Sequence, residues 1–275
     1  MNISGKTKIC VIIGDPVEHS LSPAMHNAAY EALGIDDEFV FVAARVNLED
    51  VKDVVQAVRV MNIRVLTCTI PHKMEVMKYL DEIDPIAEKI GAVNTVVNDK
   101  GVLKGYNTDW LGTVIPLENH AGDLRGTSVA LVGAGGAARA MAYGVLEKGA
   151  KLSVFNRNQK KAQILAKELD SDVSVFTYDD MSREIPKHEI ILNATSLGMG
   201  EQIDQTPLQK EYLRKGHIVF DAVYKPRETR LLKEAKEQGA VTVQGVEMLL
   251  HQGTAQFELY TGRKAPIEVM RKVLQ

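Results

Sequence analysis

The chain is poor in cysteine. Cys10 and Cys68 are the only two in 275 residues, too few for a disulfide framework, so the fold must rest on a packed apolar core. Both fall in apolar runs that read as strands, which predicts buried, reduced thiols in a cytoplasmic protein. Cys68 also lies close to a polar motif described below, and a chemical role for it stays open. No apolar run approaches the ~20 residues of a membrane-spanning helix. The first residues, Met1-Asn-Ile-Ser-Gly-Lys6, lack the apolar stretch of a secretion signal. No block of one charge sign stands out. The net charge is −3, which disfavours nucleic acid and membrane surfaces as partners. No Cys/His spacing fits a metal site, and no repeat or low-complexity tract is present.

What is present is an ordinary globular composition, 45% apolar and 25% charged, over a length that suits one large or two modest domains. Strand patterns lie near 8–13, 38–46, 63–69, 127–133, 151–156, 173–177, 189–193, 218–222 and 240–243. Helical patterns lie near 23–33, 48–60, 73–80, 84–90, 110–120, 136–148, 159–169, 229–238, 246–260 and 266–274. This alternation predicts an α/β fold with mainly parallel sheets and helices on their faces. Around Asn98-Asp-Lys-Gly101 the texture changes to a hairpin signal, and a new βαβ block begins at Gly126. Two domains are therefore expected. One is an open α/β domain over 1–110, completed by the helices of 240–275. The other is a Rossmann-type domain over 111–239.

The segment Gly14-Asp-Pro-Val-Glu-His-Ser-Leu-Ser-Pro-Ala-Met-His-Asn27 links the first strand to the first helix. Ser22 before Pro23 reads as an N-cap with proline at the first helical position. Ser20 and Ser22 thus sit at a helix N-terminus, where free N–H groups and the helix dipole favour an anion such as a carboxylate. A plain capped turn would read the same way.

Thr127-Ser-Val-Ala-Leu-Val-Gly133-Ala134-Gly135-Gly136-Ala137-Ala138 is a strand running through a glycine turn into a helix. It matches G-x-G-x-x-G/A. Gly133 permits the tight turn, Gly135 lets a pyrophosphate approach, and Ala138 lets helix pack on strand. The next strand ends at Asn156-Arg157-Asn158, followed by Lys160 and Lys161. An NAD site usually has an acidic residue there for the ribose 2′-hydroxyl. A guanidinium suits a 2′-phosphate, which points to NADP.

Three more segments put polar groups at strand or loop ends: Thr69-Ile-Pro-His72-Lys73, Gly91-Ala-Val-Asn94-Thr95 and Asn107-Thr-Asp109. Ligands of open α/β sheets bind outside the carboxyl ends of the strands. Thr69, Lys73, Asn94 and Asp109 are therefore placed to converge with Ser20 and Ser22. Taken singly, Lys73 also reads as a surface lysine and Asp109 as a helix cap.

These motifs, in this order, resemble the shikimate dehydrogenase family over nearly the whole chain. The resemblance continues in Asn193-Ala-Thr-Ser-Leu-Gly-Met199, Asp221-Ala-Val-Tyr-Lys-Pro226 and Gly245-Val-Glu-Met-Leu-Leu-His-Gln252. It implies reversible NADPH-dependent reduction of 3-dehydroshikimate to shikimate, a step of chorismate and aromatic amino-acid biosynthesis, by a monomer or homodimer. It implies that Ser20, Ser22 and Tyr224 hold the substrate carboxylate, and that Thr69, Asn94, Asp109 and Gln252 hold ring hydroxyls. Lys73 and Asp109 would be the catalytic pair. Asn156, Arg157 and Lys161 match the adenosine-phosphate cluster, and Ala194, Thr195, Ala222, Gly245 and Met248 fall where the cofactor cleft lies. Two residues depart from the family pattern: Asn158 replaces a threonine, and Thr67 replaces an asparagine.

A carbonyl that receives hydride becomes an alkoxide and needs a proton or positive charge nearby, which Lys73 can supply. His19, His26 and His72 also lie in the motifs and read as structural groups. Two alternatives remain. One is an enzyme that also accepts quinate; the serine pair at 20 and 22 favours shikimate. The other is a non-catalytic NADP-binding regulator, against which Lys73 and Asp109 argue.

Overall fold

The run Lys8-Ile-Cys-Val-Ile-Ile-Gly14 forms strand β1, and its last five residues are buried. Branched side chains suit such a pleated, packed strand. The computed structural model describes residues 3–169 and 172–275 and divides into two units. One comprises the residues up to Thr108 together with Gln252–Gln275; the other comprises Asp109–His251.

In the first unit β1 is followed by α1 (Ser22–Ala32), β2 (Phe39–Arg45), α2 (Val51–Val60) and β3 (Val65–Cys68). Then come β4 (Glu82–Ile83), α3 (Pro85–Ile90), β5 (Thr95–Asp99) and β6 (Val102–Tyr106). The sheet order is β2-β1-β3-β5-β6-β4. β1 runs parallel to β2 and β3, whereas β5 is antiparallel to β3 and β6. Lys100 and Gly101 close the β5–β6 hairpin with φ of 54° and 93°, the positive pair that a two-residue type I′ turn requires. Val11, Ile13, Leu66 and Cys68 share one sheet face and pack with Val51, Val55 and Val58 of α2. β2 is an edge strand. The Asn27 amide lies against it, donating to Phe41 O and accepting from Phe41 N, both at 2.8 Å. It pairs that residue as a further strand would, which blunts the edge.

In the second unit the order is α4 (Asp109–Ala121), β7 (Ser128–Val132), α5 (Gly136–Glu147), β8 (Lys151–Phe155), α6 (Gln159–Glu168) and β9 (Ser174–Phe176). It continues with α7 (Met181–Glu184), β10 (Ile190–Asn193), β11 (Ile218–Asp221), α8 (Arg230–Glu237) and β12 (Val241–Val243). α9 (Gly245–Thr261) begins in this unit and ends in the first, to which α10 (Ile267–Val273) also belongs. All strand pairs are parallel, in the order β12-β11-β10-β7-β8-β9. Counted from β7 this is the doubly wound order of dinucleotide-binding sheets, with its switch point between β7 and β10. The sheet is buried on both faces. Leu131, Leu192 and Phe220 pack on one side, and Ala130, Val132, Ile191 and Val219 on the other.

Three local expectations need correction. Residues 73–80 are not an α-helix; only Val76–Tyr79 form a 3₁₀ turn. The Lys73 carbonyl, which a helix would use for its own ladder, accepts instead from Val93 N at 2.8 Å. Ser22 is not an N-cap: it is the first helical residue, Leu21 holds the cap position, and no side-chain capping bond forms. Finally, the stretch just after 240 adds β12 to the second unit by pairing with β11, and the chain rejoins the first unit at Gln252.

Candidate active site

In the first unit β1 and β3 end side by side. Thr69 N donates to Ile13 O and Asp15 N to Ile70 O, each at 2.9 Å. A side chain at Gly14 would meet Thr69 Cγ2 at 2.5 Å, so glycine is what lets these ends close up. Ser20 and Ser22 lie on the connection from β1 to α1, where Ser22 N donates to Ser20 Oγ at 3.3 Å. Ser22 is buried and Ser20 half-buried.

Asn94 ties the neighbouring groups together. Its carbonyl accepts from Cys68 N at the end of β3, and its N–H donates to Tyr106 O at the end of β6. Its Nδ2 donates to Thr108 Oγ1 at 2.9 Å and reaches Gln252 Oε1 at 3.5 Å. Its Oδ1 accepts from Thr95 Oγ1 at 2.9 Å and Thr108 N at 3.0 Å. Lys73, half-buried, is held next to Asn94 through its carbonyl bond to Val93. Hydrogen bonds thus link the Thr69–Lys73 stretch, Val93–Asn94 and Gln252 next to the carboxyl end of β3. Asp109 directly follows Thr108. It opens α4 in the second unit and is 4% exposed.

The histidines in these motifs differ in setting. His19 is exposed, and His72 is fully buried. His26 is buried, stacked on Phe41 at 4.4 Å, and hydrogen-bonded through Nδ1 to the Tyr260 hydroxyl at 2.8 Å. Burial pushes its pKa down to about 3, against a smaller opposing pull from Gln256. It is a neutral packing group. Thr67 buries a hydroxyl that has no partner among the described residues.

The second unit holds a cradle at the amino end of α5. Gly133 has φ 117°, and a side chain there would meet the Ala194 carbonyl group at 3.1 Å. A side chain at Gly135 would meet nothing within 4 Å, which leaves room for a ligand over the helix end. Gly136 and Ala137 start α5, and buried Ala138 packs it on the sheet. Gly133, Ala134, Gly135, Asn156, Lys161, Ala194 and Thr195 line a cleft of about 230 Å³.

Beyond β8, Asn156 Nδ2 donates to Asn158 O at 2.8 Å, and the Asn158 side chain caps α6 by accepting from Lys161 N at 3.2 Å. The departure from threonine therefore keeps the turn closed. Arg157, Lys160 and Lys161 are exposed, and no carboxylate follows this strand end. A cradle with open space, three cations and no acidic group fit a dinucleotide that carries a 2′-phosphate.

At the ends of β10 and β11 lies a buried polar pair that sequence reasoning passed over. Asn193 Nδ2 donates to Asp221 Oδ1 at 2.9 Å, and Asn193 Oδ1 accepts from Thr195 N at 3.0 Å and Thr195 Oγ1 at 2.7 Å. Asp221 also accepts from Val223 N at 3.0 Å and Thr229 Oγ1 at 2.6 Å. Burial pushes its carboxyl up to about 6, while these bonds pull it the other way. The available signal was positional: each is the polar last residue of an apolar parallel strand. Ala222 and Tyr224 follow, both half-buried, and burial raises the Tyr224 phenol. Gly245 at the start of α9 sits against Ala222 and Val223, and Met248 is buried.

Among the described residues no His, Cys, Asp and Glu cluster has metal-binding geometry, and no helix is long and apolar enough to cross a membrane. Three family descriptions match the chain. "Shikimate dehydrogenase substrate binding domain" covers residues 12–96. "Shikimate / quinate 5-dehydrogenase" covers 117–228, and "Shikimate 5'-dehydrogenase C-terminal domain" covers 245–275. The shikimate dehydrogenase (NADP(+)) of Desulforamulus reducens is 42% identical, across 99% of this chain and 96% of its own. A crystal structure of a shikimate dehydrogenase in complex with NADP+ has TM-score 0.93 and 41% identity, covering 99% of this chain and 96% of that one. The Listeria monocytogenes enzyme, in complex with shikimate and NAD, has TM-score 0.90 and 39% identity, covering 100% and 99%.

Proposed function

The chain belongs to the shikimate dehydrogenase family of NADP-dependent oxidoreductases, and on that premise we propose that it reduces 3-dehydroshikimate to shikimate and catalyses the reverse oxidation. One observation supports the residue assignment above all. Three separate stretches of the chain, Thr69–Lys73, Val93–Asn94 and Gln252, are tied together by hydrogen bonds next to the carboxyl end of β3.

Ser20, Ser22 and Tyr224 hold the substrate carboxylate. Thr69, Asn94 and Gln252 hold ring hydroxyls. Gly133–Ala137 take the pyrophosphate, and Asn156, Arg157 and Lys161 take the 2′-phosphate and adenosine. Ala194, Thr195, Ala222, Gly245 and Met248 line the nicotinamide half of the cleft. When bound, NADPH supplies the hydride. The Lys73 ammonium stabilises the alkoxide that develops on the ring and gives it a proton. Asp109 is the other member of the catalytic pair and accepts from a ring hydroxyl. In the oxidation direction Lys73 takes the proton back. The reaction serves chorismate and aromatic amino-acid biosynthesis in the cytoplasm, whose reducing conditions suit the free, buried thiols of Cys10 and Cys68.

Steady-state turnover with shikimate or quinate, each with NADP or NAD, tests this reading. Shikimate with NADP is expected to give the highest kcat/KM. A higher value for quinate, or no turnover in any combination, would overturn it.

A further inference from the structure

Asp221 has no exposed surface, so it touches no ligand, yet three buried donors converge on it from three segments. Asn193 Nδ2 reaches it from the end of β10, Val223 N from its own turn, and Thr229 Oγ1 from the start of α8. Each bond extends to something further. Asn193 passes the constraint to Thr195 through two bonds to its Oδ1. The Ala194 peptide held there is the surface on which Gly133 of the glycine turn packs, with no room for a side chain. The Val223 bond fixes the Ala222–Val223 turn. Gly245 rests on that turn so closely that a Cβ would lie 2.5 Å from Val223 O and 2.7 Å from Ala222 O. Thr229 in turn caps α8 by accepting from Leu232 N.

We propose that Asp221 is a positioning residue for the cofactor: from the end of β11 it fixes the two turns that wall the nicotinamide half of the dinucleotide cleft. The inference rests on the NADP reading above. The dinucleotide straddles the switch point between β7 and β10. Its adenosine half therefore lies toward β8, and its nicotinamide half toward β10 and β11, where Asp221 acts. Without the carboxylate, three buried donors lose their acceptor, and the turns must move to find another. An asparagine in its place keeps Oδ1 for Asn193 and Val223, and its amide can donate to the Thr229 hydroxyl.

The test uses the full-length protein and two probes, NADP and adenosine 2′,5′-bisphosphate, with Kd measured by calorimetry. Asp221→Ala is expected to raise the NADP Kd at least tenfold and change the bisphosphate Kd less than twofold. Asp221→Asn is expected to stay within threefold of wild type for both. Should the alanine variant not fold, Asn193→Ser cuts the same relay on the cleft side and is expected to give the same split. Unchanged NADP affinity in the folded variant, or equal weakening of both probes, would overturn the positioning role and leave the NADP reading standing. Failure of the wild type to bind either probe would overturn both.

Discussion

At Ser22 a hydroxyl that a helix cap would occupy is left for other work. The cap position belongs to Leu21, and no side-chain bond closes the helix start. Removing the hydroxyl should therefore cost none of the ~1 kcal/mol that loss of a true cap brings. If Ser22 holds the substrate carboxylate, Ser22→Ala loses a hydrogen bond to a charged group, worth about 1.5–3 kcal/mol. The shikimate KM should rise roughly 10- to 100-fold, with the NADP KM and the melting temperature nearly unchanged. An unchanged shikimate KM would remove Ser22 from the carboxylate site. Asn158 illustrates the opposite case. It departs from the family threonine, yet its side chain caps α6 as a threonine hydroxyl would, because each can bring an oxygen acceptor to a free N–H of the first turn.

The long elements were legible because their apolar periods are unmistakable. The parallel strands β7, β10 and β11 read as apolar runs, and the hairpin showed in Asn98–Gly101 because only a few residues tolerate its positive φ pair. What was not legible are the pieces fixed by distant partners. The helical pattern over 73–80 fails because the Lys73 carbonyl is drawn to Val93, twenty positions away in a separate strand connection. β4 has two residues, too short for any period. The serine at 22 carried a capping signal, but the helix begins one residue early. In the site, the family motifs marked Lys73, Asn94 and Gln252 with roles, whereas Asn193 and Asp221 stood in motifs with no role and their pairing stayed hidden. A single polar residue at a strand end gives no pattern; its meaning comes from three donors that only the fold brings to it.

Across the molecule, acid should act through its buried titratable groups. The His26 imidazole is held down to about 3 by burial, against about 6.5 in an unfolded chain. Unfolding therefore takes up a proton at this residue between those values. Its contribution to stability is present above pH 6.5 and is lost as the pH falls toward 3. Asp221, raised to about 6, works in the other direction: its contribution is present below the ordinary carboxylate range and is lost as pH rises through 6. Comparing wild type with His26→Gln isolates the first. Urea unfolding at pH 7.5 and 5.0 should show wild type losing about 2 kcal/mol more than the variant. Equal losses would show that His26 is not held neutral.

Hydride transfer is also where the proposed residue roles meet a single chemical requirement. Lys73 is where the account commits itself, because hydride transfer to a carbonyl is unproductive unless the alkoxide is stabilised and protonated. The most direct measurement is kcat of Lys73→Ala with shikimate and NADP. A loss of about 100-fold or more is expected, the scale of losing a positioned proton-transfer group, with a much smaller change in the shikimate KM. A folded variant that turns over at near wild-type rate would contradict the account.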